Sequence, residues 1–173
     1  MTNEQAEELI GLKKTIIQNG IEQESVTIEQ AFPMNLRFEL ISKEDDEYSF
    51  IWDITQSSKD SLRISLHFQD DDSKIGLFRV DYNGGHHNPE FENDNLPEIF
   101  KPYIGKYFIN ESHVHYYVEG YRALAWALPI GETNVKVKEV EDNNRNRQIM
   151  DAILDFAELI NIETMITINP MLL

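Results

Sequence analysis

The sequence contains no cysteine, few basic residues and no long apolar run. Without cysteine, neither a disulfide nor a thiolate zinc site can form. No apolar run approaches the roughly 20 residues that cross a bilayer. The first residues, MTNEQAEELIGLKK, lack the basic segment and apolar core of a secretory signal. We therefore expect a soluble, cytoplasmic protein with no membrane partner.

Positive charge is also scarce. The 15 Lys and Arg residues stand against 31 Asp and Glu, which gives a formal net charge of −16. Such a surface does not attract phosphate over long distances, because nucleic-acid binding relies mainly on Lys and Arg. We expect it to be steered toward a basic partner and not to bind free nucleic acid directly. The alternative is that the acidity only keeps the protein soluble.

The chain is predicted to form one α+β domain over residues 1–173, with one antiparallel sheet of about six strands. N- and C-terminal helices are predicted to pack on one face of that sheet. Apolar spacing predicts the first helix over residues 3–19, with Thr2 or Asn3 as its cap and Gly20 as its end.

The second helix is predicted to run from a cap at Asp142, Asn143 or Asn144 to about Ile160. Residues 165–168 are predicted to add a short edge strand that ends before Pro170. These two elements complete the expected fold.

Six segments alternate apolar and polar residues, which is the pattern of a strand with one buried face. They are residues 36–40, 48–54, 62–68, 77–82, 113–118 and 123–128. The third and fourth segments are predicted to form a hairpin with Leu66 opposite Phe78 and a loop of residues 71–73. This register places Arg63 opposite Asp81.

The last two segments are predicted to form a second hairpin with a three-residue turn at Gly120. In this register His113, His115 and Tyr117 lie beside a row of three alanines. Small side chains next to histidines would leave open space above the sheet, so we expect a pocket there. The alanines are Ala123, Ala125 and Ala127.

Residues 83–112 show no clear period, and the dipeptides Gly84-Gly85 and Asn88-Pro89 are turn signals. We expect a long connection that contains a short helix over residues 96–100. Connections of this length are uncommon in compact domains and are often functional.

A set of titratable side chains is predicted to share the sheet face away from the helices. The set is Arg63, His67, Arg79, Asp81, His113, His115 and Tyr117, with His86 and His87 beyond the end of one strand. Three chemistries suit these residue types.

The first chemistry is metal binding. His113 and His115, at i and i+2 on one strand, point the same way and can share a cation with His86 or Asp81. The spacing matches no established metal motif, and no nucleotide-binding or serine-hydrolase motif occurs. We therefore expect neither a metal nor a cofactor.

The second chemistry is phosphodiester cleavage without a metal, which needs a proton acceptor, a proton donor and a cation near the phosphate. His86, His113 and His115 are candidates for proton transfer, with Arg79 or Arg122 for the phosphate. The third interpretation is structural: the histidines are hydrogen-bonded in a half-buried position and Arg63 pairs with Asp81.

The order of these residues resembles an uncharacterised family of small proteins found in bacteria, phages and other mobile genetic elements. That family shows His-x-Asn-Pro, then His-x-His-x-Tyr-x-Glu-Gly, then small residues and a proline. The matching residues are Arg79, Asp81, His86, Asn88, Pro89, His113, His115, Tyr117, Glu119, Gly120 and Pro129. The chain departs from that pattern at Glu90-Phe91, where the family tends to have Asp-Gly, and by the long loop that follows. The resemblance selects residues and implies a mobile-element origin without assigning a role to any side chain.

Acidity and small size are also similar to those of anti-CRISPR inhibitors, which commonly occupy a basic nucleic-acid groove. The leading hypothesis is therefore an inhibitor of a basic nucleic-acid-binding protein or ribonucleoprotein. Its expected contacts are Tyr117, Asp81 and two acidic turns, made of Glu44, Asp45, Asp46 and Glu47 and of Asp70, Asp71 and Asp72. The alternative is a histidine-dependent, metal-independent ribonuclease that acts as a toxin or on a guide RNA. Whether the protein is an enzyme is left open by these two hypotheses.

Overall fold

Ten strands and two α-helices make up the computed structural model, which describes residues 1–45 and 47–171. The α-helices are α1 (Asn3–Gly11) and α2 (Arg145–Leu159), and two 3-10 helices span Glu98–Tyr103 and Ile130–Glu132. The strands are β1 (Lys14–Gln18), β2 (Ile21–Gln23), β3 (Ser25–Glu29), β4 (Asn35–Ser42), β5 (Ser49–Gln56), β6 (Ile64–Asp70), β7 (Gly76–His87), β8 (Tyr107–Tyr116), β9 (Trp126–Pro129) and β10 (Met165–Asn169). None of the helices described is long and apolar enough to cross a bilayer.

Eight of these strands form one antiparallel sheet in the order β2-β1-β4-β5-β6-β7-β8-β9. The six predicted strands correspond to β4 through β9, which confirms the mixed α and β composition and the antiparallel sheet. The predicted number of six is wrong, because β1 and β2 extend the sheet beyond β4. The predicted edge strand is present as β10, but it pairs in parallel with β3 in a separate two-stranded sheet. Packing of both helices on one face stays a prediction.

The first helix is shorter than predicted, because it ends at Gly11 instead of residue 19. The β-branched residues that follow it form β1, in which Ile16 lies opposite Leu40 of β4 and is fully buried. Gly20 does not end a helix but lies between β1 and β2 with a φ of +74°. Ile16 and Ile17, which were predicted to lie on the apolar side of the helix, therefore belong to β1.

The starts of both helices agree with the prediction. Thr2 caps α1: its hydroxyl accepts a hydrogen bond from the Gln5 N–H, and the Gln5 side chain accepts one from the Thr2 N–H. α2 follows Asn144, one of the three predicted caps, although the Asn144 side chain makes no capping hydrogen bond to the described residues. Its Phe156 ring stacks on Trp52 and Phe78, with ring centres 5.9 Å and 5.5 Å apart. α2 thus packs on the sheet face that the apolar residues of β5 and β7 form.

The register of β6 and β7 differs from the prediction by two residues. Leu66 lies opposite Val80 instead of Phe78, and the loop spans residues 71–75 instead of 71–73. Side chains alternate with a period of two, so this shift leaves every side chain on its predicted face. The pairing of these two strands and the face of each side chain were therefore predicted correctly, and the residue opposite each position was not.

The predicted connection over residues 83–112 contains strand at both ends. β7 continues to His87 and β8 begins at Tyr107, so that the connection is limited to residues 88–106. The short helix predicted over residues 96–100 is a 3-10 helix that begins two residues later, at Glu98.

The chain between β8 and β9 is longer than the predicted three-residue turn and spans residues 117–125. Gly120 has the predicted left-handed backbone, with a φ of +84°. Of the three alanines, only Ala127 lies in β9, where it is opposite His115. The predicted open space is wrong, because His113 and His115 are both 0 % exposed.

Candidate functional site

The predicted sheet face does bring four titratable side chains together. In β7 and β8, Asp81 lies opposite His113, and Arg79 lies opposite His115. The alternation of each strand directs all four to the face opposite Val80 and Val114. We call Asp81, His113 and His115 with the neighbouring Arg79 the histidine cluster.

His115 makes three polar contacts inside this cluster. Its Nδ1 lies 2.9 Å from the carbonyl oxygen of Leu124, and its Nε2 lies 3.1 Å from Asp81 Oδ2 and 2.8 Å from Arg79 Nη2. A carbonyl oxygen only accepts, so Nδ1 carries a hydrogen. Nε2 then faces both an acceptor and a donor.

His113 is held in the same way at Nδ1, but its Nε2 lacks a hydrogen bond to the described residues. Its Nδ1 donates to the carbonyl oxygen of Glu111 over 2.7 Å. Its Nε2 is buried, lies 3.6 Å from Asp81 Oδ2 and has no hydrogen-bond partner among the described residues. Burial lowers the pKa of His113, so its neutral ring directs an unshared electron pair toward a carboxylate.

Asp81 is ionised although its side chain is largely buried. Burial alone would raise the pKa of Asp81, but the hydrogen bond to His115 and the charge of Arg79 outweigh burial and hold it below its usual range. Arg79 Nε lies 3.0 Å from Asp81 Oδ2 without the alignment of a hydrogen bond, and Asp81 Oδ1 also has no partner among the residues described.

His86 completes the convergence of the three predicted histidines. Its ring centre lies 4.4 Å from that of His115 and 5.8 Å from that of His113. Burial lowers the pKa of His86 to about 4, and the neutral ring donates from Nε2 to the carbonyl oxygen of Ala125 over 2.9 Å. His87 points elsewhere and stacks on Tyr107.

A solvent cleft of about 330 Å³ reaches the cluster at Asp81 and Arg79. Arg63 lines the cleft, but it donates to the Asn83 carbonyl and to Asn110. The predicted pairing of Arg63 with Asp81 is wrong, because the two-residue shift in register places Ser65 opposite Asp81.

Two other predicted contacts lie away from the cluster. Arg122 is exposed in the connection between β8 and β9, and Tyr117 donates from its hydroxyl to the Met1 carbonyl oxygen over 2.7 Å.

Gly84 is a contact that the sequence interpretation missed. A β-carbon at Gly84 would lie 3.1 Å from both the His113 ring and Asp81 Cβ, so its absence lets β7 approach the cluster. A glycine pair that continues a strand pattern is the signal for such an approach.

The two predicted acidic turns lie at the same end of the sheet. β5 and β6 are neighbours, and the Asp71 N–H donates to the Ser49 carbonyl oxygen over 3.0 Å where the turns meet. We call the exposed or half-exposed carboxylates of these turns, Glu44, Asp45, Glu47, Asp71 and Asp72, the acidic end. Asp70 is buried and accepts hydrogen bonds from Ser73, and Asp46 lies outside the described residues.

A groove of about 460 Å³ adjoins the acidic end, between α1 and the turn that joins β4 and β5. Leu9 and Leu12 contribute apolar surface to it, and Glu8 and Asp45 contribute carboxylates. The sequence interpretation missed this groove, because it depends on the position of α1 against a distant turn.

Comparisons with known proteins add a family and no function. The model of a family described as "Family of unknown function (DUF6978)" matches residues 1–162. No curated protein and no solved structure matches the chain. Since the family description names no source or activity, the predicted mobile-element origin stays a prediction.

Proposed function

We propose that this chain, which belongs to the DUF6978 family of unknown function, binds and inhibits a basic nucleic-acid-binding effector as anti-CRISPR proteins do. The observation that carries this proposal is the position of two acidic turns and an adjoining groove at one end of the sheet. The proposed partner is a basic protein or ribonucleoprotein in the cytoplasm of the cell in which this protein acts.

The groove supports a basic partner because its two kinds of surface match the two parts of a Lys or Arg side chain. Such side chains bury an aliphatic stem and keep a charged group at the rim. Leu9 and Leu12 offer the surface for the stem, while Glu8 and Asp45 offer carboxylates for the charge. A net charge of −16 adds long-range attraction to a basic surface and repels phosphate.

Binding to a panel of guide-RNA-loaded CRISPR effector complexes, measured between about 50 and 200 mM salt, tests the proposal. The test variant combines Asp45→Asn, Glu47→Gln and Asp72→Asn. The control combines Glu139→Gln, Glu141→Gln and Asp142→Asn, which removes the same number of exposed carboxylates from the segment before α2. We expect the test variant to bind about tenfold more weakly than the wild type, and the control to change binding by less than about threefold.

Two outcomes would contradict the proposal. The first is no binding of the wild-type protein to any effector at low salt. The second is an equal loss of binding in the test and control variants, which would point to net charge alone and not to the acidic end.

The alternative, a metal-independent ribonuclease, receives less support from the geometry. His113 and His115 are fully buried, and each has one ring nitrogen bonded to a carbonyl oxygen, which keeps both away from a phosphodiester. RNA cleavage by His113→Ala and His115→Ala variants tests this alternative. Unchanged cleavage in both would remove these side chains from the mechanism.

A further inference from the structure

Three potential ligand atoms meet in the histidine cluster. Asp81 Oδ2 lies 3.1 Å from His115 Nε2 and 3.6 Å from His113 Nε2, and all three atoms lie within 4.8 Å of one another. First-row metal ions bind imidazole nitrogen and carboxylate oxygen at about 2.0 to 2.2 Å, which places neighbouring ligands about 3 to 3.5 Å apart. The two distances to Asp81 Oδ2 are therefore those of ligands that share one ion, and the two imidazole nitrogens, which lie within 4.8 Å of each other, complete the set.

Both imidazoles are oriented as metal ligands are. The carbonyl oxygens of Glu111 and Leu124 each accept a hydrogen bond from Nδ1, at 2.7 Å and 2.9 Å. A partner of this kind holds the ring in place and leaves the electron pair of Nε2 free for the metal. The two carbonyls thus direct the Nε2 atoms of both rings toward the same carboxylate oxygen.

A network of neutral imidazoles does not satisfy this arrangement. It accounts for His115, whose Nε2 has a polar partner in either protonation state: the neutral ring accepts from Arg79, and the protonated ring donates to Asp81. Within the described part of the chain, it leaves His113 Nε2 buried without a hydrogen-bond partner, facing the Asp81 carboxylate. Two acceptors that face each other in a buried position need a cation or a shared proton between them.

We propose that Asp81, His113 and His115 bind one divalent first-row transition-metal ion. Two imidazoles and one carboxylate suit Zn²⁺, Fe²⁺, Co²⁺ or Mn²⁺ better than Mg²⁺ or Ca²⁺, which prefer oxygen ligands throughout. Three protein ligands leave coordination positions open for water from the cleft next to Asp81. This site is separate from the acidic end, so either proposal can fail alone.

Arg79 competes with the metal for the cluster. Its guanidinium lies 2.8 Å from His115 Nε2 and 3.0 Å from Asp81 Oδ2, where it supplies positive charge to the same two groups. Metal binding must displace Arg79, and the cleft that it lines gives room for this movement. Arg79→Gln removes the competing charge, so we expect this variant to bind Zn²⁺ about tenfold more tightly than the wild type.

The test uses the full chain after treatment with a chelator. Zn²⁺ binding is measured by calorimetry, and Co²⁺ binding by the visible absorption of its ligand-field bands. Asp81→Asn is the gentlest ligand variant because it preserves shape, and His113→Asn keeps a donor for the Glu111 carbonyl. His87→Asn is the matched control, since His87 lies in β7 but stacks on Tyr107 outside the cluster. Circular dichroism of every variant reports whether it is folded.

We expect one ion per chain, a loss of affinity of at least about a hundredfold in folded Asp81→Asn and His113→Asn, and no change in His87→Asn. No Zn²⁺ or Co²⁺ binding by the folded wild type at about 100 μM metal would overturn the proposal. Wild-type affinity in Asp81→Asn would overturn it as well, and so would weakened binding in His87→Asn alone, which would identify a surface site.

Discussion

The Asn88 side chain pairs with both backbone groups of Ala127. Its Nδ2 donates to the Ala127 carbonyl oxygen over 2.8 Å, and its Oδ1 accepts from the Ala127 N–H over 2.9 Å. β9 is the last strand of the sheet, so the Asn88 amide takes the place of a further strand at this position. Asn88 is 0 % exposed, and the Ala127 backbone groups have no access to water there.

Replacement of Asn88 by Ala leaves a buried N–H and a buried carbonyl without partners. We expect Asn88→Ala to lower the free energy of unfolding by about 2 to 4 kcal/mol. Urea denaturation measures the change. Asn134→Ala removes an exposed amide and serves as the control, with an expected change below about 0.5 kcal/mol. Equal midpoints for the two variants would show that the Asn88 pairing adds nothing to stability.

Lys14 gives a prediction about pH. Its buried Nζ donates to the carbonyl oxygens of Ile10, Leu12 and Ile160, and burial lowers the pKa of Lys14 to about 7, with Glu44 acting in the opposite direction. Because the folded pKa lies below the ordinary value near 10.5, folding favours the neutral amine. Stability from this group therefore rises with pH between about 7 and 10.5, by at most about 1.4 kcal/mol per pH unit.

Lys14→Met removes that dependence. We expect the free energy of unfolding of the wild type, minus that of Lys14→Met, to become more positive from pH 7.5 to 9.5. Urea denaturation at each pH measures both values. A constant difference would show that the three carbonyl oxygens keep the ammonium form and offset the effect of burial.

Gly120 is required by the turn that follows β8. Its φ of +84° is strained for any residue with a side chain, and a β-carbon there would lie 2.5 Å from Asn93 Nδ2. We expect Gly120→Ala to lower the melting temperature, with a loss of about 1 to 2 kcal/mol. Gly131→Ala, which introduces a β-carbon into open space, is the control. Similar melting temperatures for both variants would count against a strained turn.

Asp155 connects α2 to the segment before it. The Asp155 Oδ2 accepts hydrogen bonds from the backbone N–H groups of Lys136 and Val137, at 2.6 Å and 3.2 Å. We expect Asp155→Ala to cost about 2 to 3 kcal/mol, because two N–H groups lose their acceptor. Asp151→Ala, one turn earlier on an exposed position, should cost far less. Amide hydrogen exchange at Lys136 and Val137 checks the cause: unchanged protection in Asp155→Ala would rule out this explanation.

Periodicity predicted the faces of the strands but not the register in which they pair. Leu66 was placed on the correct face and two residues out of register, since a shift by two preserves the alternation. The error in α1 has a related origin. Ile16 and Ile17 continue the helical stripe of apolar residues, and only the long-range pairing of β1 with β4 decides that they form a strand.

The residues of the histidine cluster were predicted from the sequence, but their burial was not. Alternation alone placed Asp81, His113 and His115 on one face, as the structure shows. Their burial depends on the segment after β8, whose carbonyl groups at Leu124 and Ala125 turn inward to accept hydrogen bonds from His115 and His86. No local pattern reports that a connecting segment will cover a sheet face.

The parallel pairing of β3 with β10 has a consequence for the order of events during synthesis. β3 begins at Ser25, but its hydrogen bonds require residues 165–169, and the Lys14 N–H requires the Asn161 carbonyl oxygen. A ribosome must therefore release residues 165–169 before β1 and β3 can complete their hydrogen bonds. We expect β3 to remain exposed to proteases and chaperones until β10 has emerged.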